Sequence, residues 1–226
     1  MIEDAHYARL VEAASAPYRA AGRFAWHFAR GKLGGDPVFR ALLQGRLIPE
    51  NARLLDLGCG QGLLAALLAA AASPRLAAYH GLELMASDVA RAHRALGEDC
   101  GVRQGDIRSA EFGAADAVVI LDVLHYMRLE DQDAVLARVR AALTPGGVLL
   151  LRVGDAAAGL PFRLSNWVDW TVALARGHGA TRFHCRSVAQ WRSVLEALGF
   201  SVQAEPMSRG TPFANVLLSA RLPQRS

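Results

Sequence analysis

"ARLLDLGCGQGLLAALL", residues 52–68, decides how the rest of the chain reads. An apolar run ends at Asp56, glycines follow at alternate positions (Gly58, Gly60, Gly62), and the chain turns apolar again. A buried strand, a turn needing bare backbone and a buried helix produce this order. Such a turn suits close approach of a ligand, because the helix N-terminus presents unpaired N–H groups. The spacing is G-x-G-x-G, with Leu63 where a dinucleotide fingerprint needs its third glycine.

Outward from this stretch, apolar runs recur at residues 77–83 (AAYHGLE), 116–122 (DAVVILD) and 147–153 (GVLLLRV). Helical patterns separate them at 62–73, 86–97 and 129–143. Strands buried on both faces and alternating with helices predict an α/β fold with a doubly wound, mostly parallel sheet. The helix after the glycines is apolar nearly all round, which places it between the sheet and accessory helices.

Residues 1–48 read as a helical cap, interrupted at Pro17 and closed by Gly34-Gly35. Asp36-Pro37 then starts a helix expected to run to Pro49. Residues 49–226 form the main domain, with 155–186 as an inserted lid carrying a short helix near residues 167–175. Ser187 and Gly199 bracket a further helix. Two last strands, 201–207 and 213–222, are expected as an antiparallel hairpin at the sheet edge.

Just over half of the 226 residues are hydrophobic, enough for a sizeable core. The net charge is +4, carried by arginine apart from Lys32, with no basic run of the kind that grips nucleic acid. Cys59, Cys100 and Cys185 are odd in number and lack metal-ligand spacing, which suits a reduced cytoplasmic protein without a metal. The segment MIEDAHYARL lacks the apolar core of a signal peptide, and the ten-residue run at 63–72 is too short to span a membrane.

Asp56 beside the glycines argues against a phosphate there and for a cationic or ammonium-bearing ligand. Glu83, twenty-one residues after Gly62, closes the next apolar run, where a carboxylate can accept both hydroxyls of a ribose. Together with LLDLGCGQG, the segments YHGLELMASDVARA, VRQGDIRSAEF, ADAVVILDVLHYM and LTPGGVLLLRV follow in order. This succession resembles class I S-adenosylmethionine-dependent methyltransferases over residues 52–153.

The resemblance implies a Rossmann-like fold with a seven-stranded sheet, S-adenosylmethionine as cofactor, and a set of roles. Gly58 and Gly60 would carry the methionine moiety on bare backbone, with Asp56 orienting its ammonium group. Glu83 would bind the ribose, Leu84 and Met85 would flank the adenine, and Asp106 and Ile107 would meet its edge. Leu121 would offer a carbonyl to the ammonium, and Asp122 would border the methyl-transfer site. Simpler readings stand beside these, since Asp56 and Asp106 also fit as local caps and Glu83 as a strand-end residue.

Methyl transfer is an in-line displacement that needs a positioned nucleophile and sometimes a base. His125 and Tyr126, just past the fourth apolar run, are the candidate bases; a helix-start histidine is the plainer reading of His125. His178 and His184 lie in or beside the lid. Phe162, Trp167, Trp170 and Phe183 in the lid, with Tyr7, Tyr18, Phe24, Trp26, His27 and Phe28 in the cap, either pack added helices or enclose an acceptor. Arg152, Arg163 and Arg182 would then suit a carboxylate or phosphate on it.

The leading expectation is O- or C-methylation of a small, largely apolar, aromatic or acyl molecule, free or carrier-bound. A nucleic-acid or protein methyltransferase and a non-catalytic cofactor-binding scaffold are the alternatives. DVLHY at 122–126 is unlike the D/N-P-P-Y/F pattern that grips an exocyclic amine. Residues 17–43 resemble methyltransferases associated with bacterial aryl-polyene pigment and polyketide-type lipid gene clusters. The acceptor atom and the oligomeric state are not legible in the sequence.

Overall fold

The computed structural model describes residues 2–155, 184–207 and 215–224. Most of the expected lid lies outside them, including its short helix and Phe162, Arg163, Trp167, Trp170, His178, Arg182 and Phe183.

Three helices open the chain: α1 (Asp4–Ser15), α2 (Arg23–Gly35) and α3 (Pro37–Gln44), with a 3-10 turn (Ala16–Ala21) after α1. Pro17 shapes that turn, because proline removes a helical donor. Asp36 caps α3 as its spacing predicts, with Oδ1 accepting from Val38 N at 3.1 Å. The helix stops at Gln44 instead of continuing to Pro49, since Gly45 begins a turn in which Arg46 takes φ +47°.

Then come β1 (Ala52–Leu57), α4 (Leu63–Ala71), β2 (Leu76–Glu83), α5 (Ala86–Leu96), β3 (Val102–Gln104) and β4 (Ala115–Leu121). A 3-10 turn (Leu124–Tyr126), α6 (Leu129–Ala142) and β5 (Leu143–Gly154) complete the central unit. The chain ends with α7 (Val188–Ala197), β6 (Ser201–Pro206) and β7 (Asn215–Arg221). These strands form one sheet in the order β3-β2-β1-β4-β5-β7-β6. Every pairing through β5 is parallel, while β7 runs antiparallel to both β5 and β6. The Rossmann-like fold with an antiparallel edge hairpin is therefore present. Short and polar, β3 lacks the apolar run that marks its neighbours.

Alternation along the strands sorts two cores. Leu54, Val119, Leu150 and Leu217 pack with α4 and the N-terminal helices in one continuous cluster. Leu55, Ile120, Leu149 and Leu218 pack with α6 and α7 on the opposite face, where Trp191 and Leu195 are sealed from solvent. Helix α4 contributes to the first cluster and touches α1, α2 and α3, as its all-round apolar character requires. By the two-residue period, Asp56 shares the face of Leu54 and points toward the N-terminal helices.

Candidate cofactor and acceptor site

Loops at the carboxyl ends of β1, β2, β3 and β4 converge, the usual ligand position in sheets of this kind. Three left-handed glycines link β1 to α4, each for its own reason. At Gly58 (φ +76°) a Cβ would stand 2.3 Å from Val123 Cγ2, and at Gly62 (φ +75°) 3.1 Å from Leu96 Cδ1. Both answer to packing within the protein. Gly60 (φ +56°) faces open space, with nothing within 4 Å of a Cβ placed there, so bare backbone is offered outward.

Glu83 bridges this loop to the start of α5. Its Oε2 accepts from Gly60 N at 2.9 Å and its Oε1 from Met85 N at 2.8 Å. Two backbone donors hold the carboxylate in one orientation, and each oxygen keeps further acceptor capacity for a diol. The N–H groups of Gly58 and Cys59 donate to Leu82 O at 2.8 and 3.1 Å, lacing the loop to β2.

Asp56 is 4% exposed and accepts from Tyr79 Oη at 2.8 Å. Burial raises its pKa to about 7 against the lowering effect of that hydrogen bond, and nearby Glu83 pushes the same way. A buried carboxylate of this kind gains most from a cationic partner. From the cap, Tyr18 Oη donates to Gln61 O at 2.7 Å, and Gln61 Nε2 donates to Asp88 Oδ1 at 3.2 Å. Sequence reading passed over these roles of Tyr18 and Tyr79. Their polar ends within apolar segments were the available signal, since a buried tyrosine hydroxyl usually finds a partner.

On the side assigned to the adenine, Leu84 is exposed while Ile107 is buried against the second core. Asp106 accepts from Arg108 Nε at 2.9 Å and from Arg108 N at 2.9 Å, and this contact holds its carboxyl below the usual range. Arg138 of α6 grips the same loop from beneath: its Nη1 donates to the carbonyls of Ile107 and Arg108, both at 2.9 Å, and its Nη2 donates to that of Ala110.

At the end of β4, Leu121 is half-buried and Asp122 takes φ +58°. Both carboxylate oxygens of Asp122 accept from Arg152, with Nε–Oδ1 at 2.8 Å. Arg152 also pairs with Asp36 of the cap, to which Lys32 adds a contact of 2.7 Å. At 2% exposure, Arg152 is committed to these carboxylates, so it does not reach out to an acceptor's anion as its sequence position suggested.

His125 and Tyr126 follow on the 3-10 turn, with ring centroids 4.2 Å apart. Burial pushes the His125 pKa down to about 4, leaving a neutral imidazole at pH 7. Gln132, fully buried on α6, fixes this turn: its Nε2 lies 3.0 Å from Leu124 O, 3.1 Å from Met127 O and 2.7 Å from His184 O. His184 N in turn donates to His125 O at 2.9 Å, bringing the chain at residue 184 against the turn that carries the candidate base.

A family model described as "Methyltransferase domain" matches residues 25–205, and the chain belongs to that family. Among curated proteins it is 36% identical over 115 residues to the carboxy-S-adenosyl-L-methionine synthase of Chromohalobacter salexigens, covering 49% of this chain and 43% of the relative. It is 30% identical over 123 residues to the ubiquinone biosynthesis O-methyltransferase of Xanthomonas axonopodis pv. citri, covering 51% and 48%. The chain thus spans less than half the length of these relatives. Magnesium protoporphyrin IX methyltransferase from Synechocystis PCC 6803, solved with bound SAH, shares the fold at TM-score 0.61 and 20% identity over 95% of this chain and 97% of that one. Human N-acetylserotonin methyltransferase, solved with SAM, aligns at TM-score 0.64 and 18% identity over 94% and 59%.

The residues present fit S-adenosylmethionine, the cofactor the sequence leads one to expect: a fixed diol acceptor at Glu83, open backbone at Gly60 and a buried carboxylate at Asp56. Among the described residues, no helix is long and apolar enough to cross a membrane.

Proposed function

We propose that this chain transfers a methyl group by in-line displacement to oxygen or carbon of a small, largely apolar, aromatic or acyl molecule. Glu83 carries the reading, because its carboxylate is held between Gly60 N and Met85 N where a ribose would be recognised. The bound cofactor supplies an electrophilic methyl on a sulfonium. Asp56 and the carbonyl of Leu121 take its ammonium end, Gly60 leaves room along the backbone while Gly58 seats the same loop against Val123, and Leu84 and Met85 flank the base. Asp106 and the backbone of Ile107 meet the base's edge.

In this reading residues 1–48 cap the domain formed by residues 49–226. His125 and Tyr126 are the candidate proton acceptors on the turn after Asp122. With its pKa lowered to about 4 by burial, His125 is neutral at pH 7 and able to accept a proton, though as a weak base. Lys32, Arg152, Asp36 and Asp122 carry charges that sum to zero at this end of the site, in keeping with a neutral acceptor instead of a polyanion. The relative named as an O-methyltransferase supports the same class.

A second reading draws on the 36% identity to a carboxy-S-adenosyl-L-methionine synthase: the cofactor is itself the group modified, its methyl losing a proton and gaining the carboxyl given up by a carboxylate-bearing co-substrate. Mass spectrometry of the nucleoside pool after incubation with phenolic, acyl-carrier and carboxylate-bearing substrates separates the two. Accumulating S-adenosylhomocysteine supports methyl transfer, while a carboxylated sulfonium supports the second reading. Glu83→Ala is expected to weaken S-adenosylmethionine binding by about 1–3 kcal/mol, read by calorimetry, because two ribose donors lose their acceptor. Unchanged affinity removes the ribose role.

A further inference from the structure

Arg152 holds Asp122 at both ends. Its main-chain carbonyl accepts from Asp122 N at 3.3 Å across the β4–β5 pairing, while its guanidinium takes both carboxylate oxygens. The residue so held is not a glycine, yet its backbone is left-handed at φ +58°, a conformation that needs support from its surroundings. The third nitrogen of the guanidinium runs to Asp36, the residue that ends α2 and caps α3. Asp36 is only 10% exposed at its side chain, and Arg152 2%.

We propose that Arg152 is a positioning residue that ties the N-terminal helices to the Leu121–Asp122 backbone, so that the cap and the methyl-transfer end of the site move as one. The inference rests on the reading that Leu121 and Asp122 border the bound cofactor. Charge balance at this seam takes four side chains, Arg152 and Lys32 against Asp36 and Asp122. A guanidinium sealed from water needs its carboxylates, and removing the charge of Asp36 leaves Asp122 alone against both cations. Asp122 then has to move, and the carbonyl of Leu121 beside it moves as well. This gives Asp122 its work through its backbone, since its carboxylate is already engaged.

Asp36→Asn is the direct test, because asparagine keeps the N-cap of α3 and removes only the charge. Amide hydrogen exchange is read in the absence of cofactor, and S-adenosylmethionine affinity is read by calorimetry. Exchange is expected to accelerate at least tenfold at residues 121–124 as well as at 36 and 38, with affinity falling three- to tenfold. Faster exchange confined to 36 and 38 with unchanged affinity overturns the proposal and leaves Asp36 as a cap alone. Should Asp36→Asn fold poorly, Arg152→Lys keeps the charge but cannot span both carboxylates, and the same two readouts apply. If the unaltered protein binds no S-adenosylmethionine, the functional reading fails while the exchange pattern still decides the coupling.

Discussion

Gly58 and Gly60 sit two residues apart in one loop and answer to different forces. A methyl group at Gly58 meets Val123 at 2.3 Å, so Gly58→Ala is expected to lower the melting temperature sharply and disturb the loop whether or not cofactor is present. At Gly60 the same methyl meets nothing within 4 Å, so Gly60→Ala costs only the left-handed strain of about 1 kcal/mol in stability. Its larger effect should fall on S-adenosylmethionine affinity, because the methyl fills the space the ligand needs. Thermal melts beside calorimetry distinguish the two, and equal loss of stability in both variants contradicts the assignment.

Asp56 makes a second prediction at this scale. With its pKa near 7, it holds a proton between about pH 4 and 7 that the unfolded chain has already released, so its contribution to stability falls as pH rises through that window. A cationic ligand favours the ionised form, so affinity should move the opposite way. Binding should tighten from pH 6 to pH 8, with proton release below pH 7, and Asp56→Asn should flatten the profile. Titrations in buffers of different ionisation enthalpy measure the proton directly. A flat profile in the unaltered protein places the ammonium elsewhere.

Among the elements, α7 shows what local sequence determines. Ser187 accepts from Gln190 N at 3.3 Å and Gln190 Oε1 accepts from Ser187 N at 2.9 Å, a reciprocal cap whose serine the sequence marks as the helix start. Ser187→Ala is expected to cost about 1 kcal/mol in chemical denaturation, with no change in cofactor affinity. The β1–α4 turn and the Asp36 cap were legible for the same reason, since each depends on a few neighbouring residues. Contacts between distant elements were not. Tyr18 meets Gln61 across 43 positions, Gln132 meets His184 across 52 and Arg152 meets Asp36 across 116. Each forms only after the sheet has brought its elements together, so no spacing rule exposes it. Short β3 escaped for a different reason: three residues, two of them polar and exposed, give no period to detect.

For the whole molecule, the first core runs without a break from Tyr7 and Leu10 through α4 to Leu54 and Leu150. The N-terminal helices therefore share their apolar surface with the sheet, and a boundary at residue 48 is one of role more than of folding. Chemical denaturation is expected to give coincident transitions by far-ultraviolet circular dichroism and by tryptophan fluorescence, Trp26 reporting the cap and Trp191 the opposite face. Separate transitions would mean that the cap folds alone.

The last strand is inserted between two that precede it. β7 bonds to β5 on one side and β6 on the other, so until residues 215–221 leave the ribosome β5 has one bare edge and β6 has no partner at all. The nascent chain must carry that open edge, apolar in Leu149, Leu150 and Leu151, from the completion of β5 at residue 154 until β7 follows at residue 215. Completion of the sheet is thus timed by the final strand, and a ribosome stalled shortly before it would present an aggregation-prone chain to the cell's chaperones.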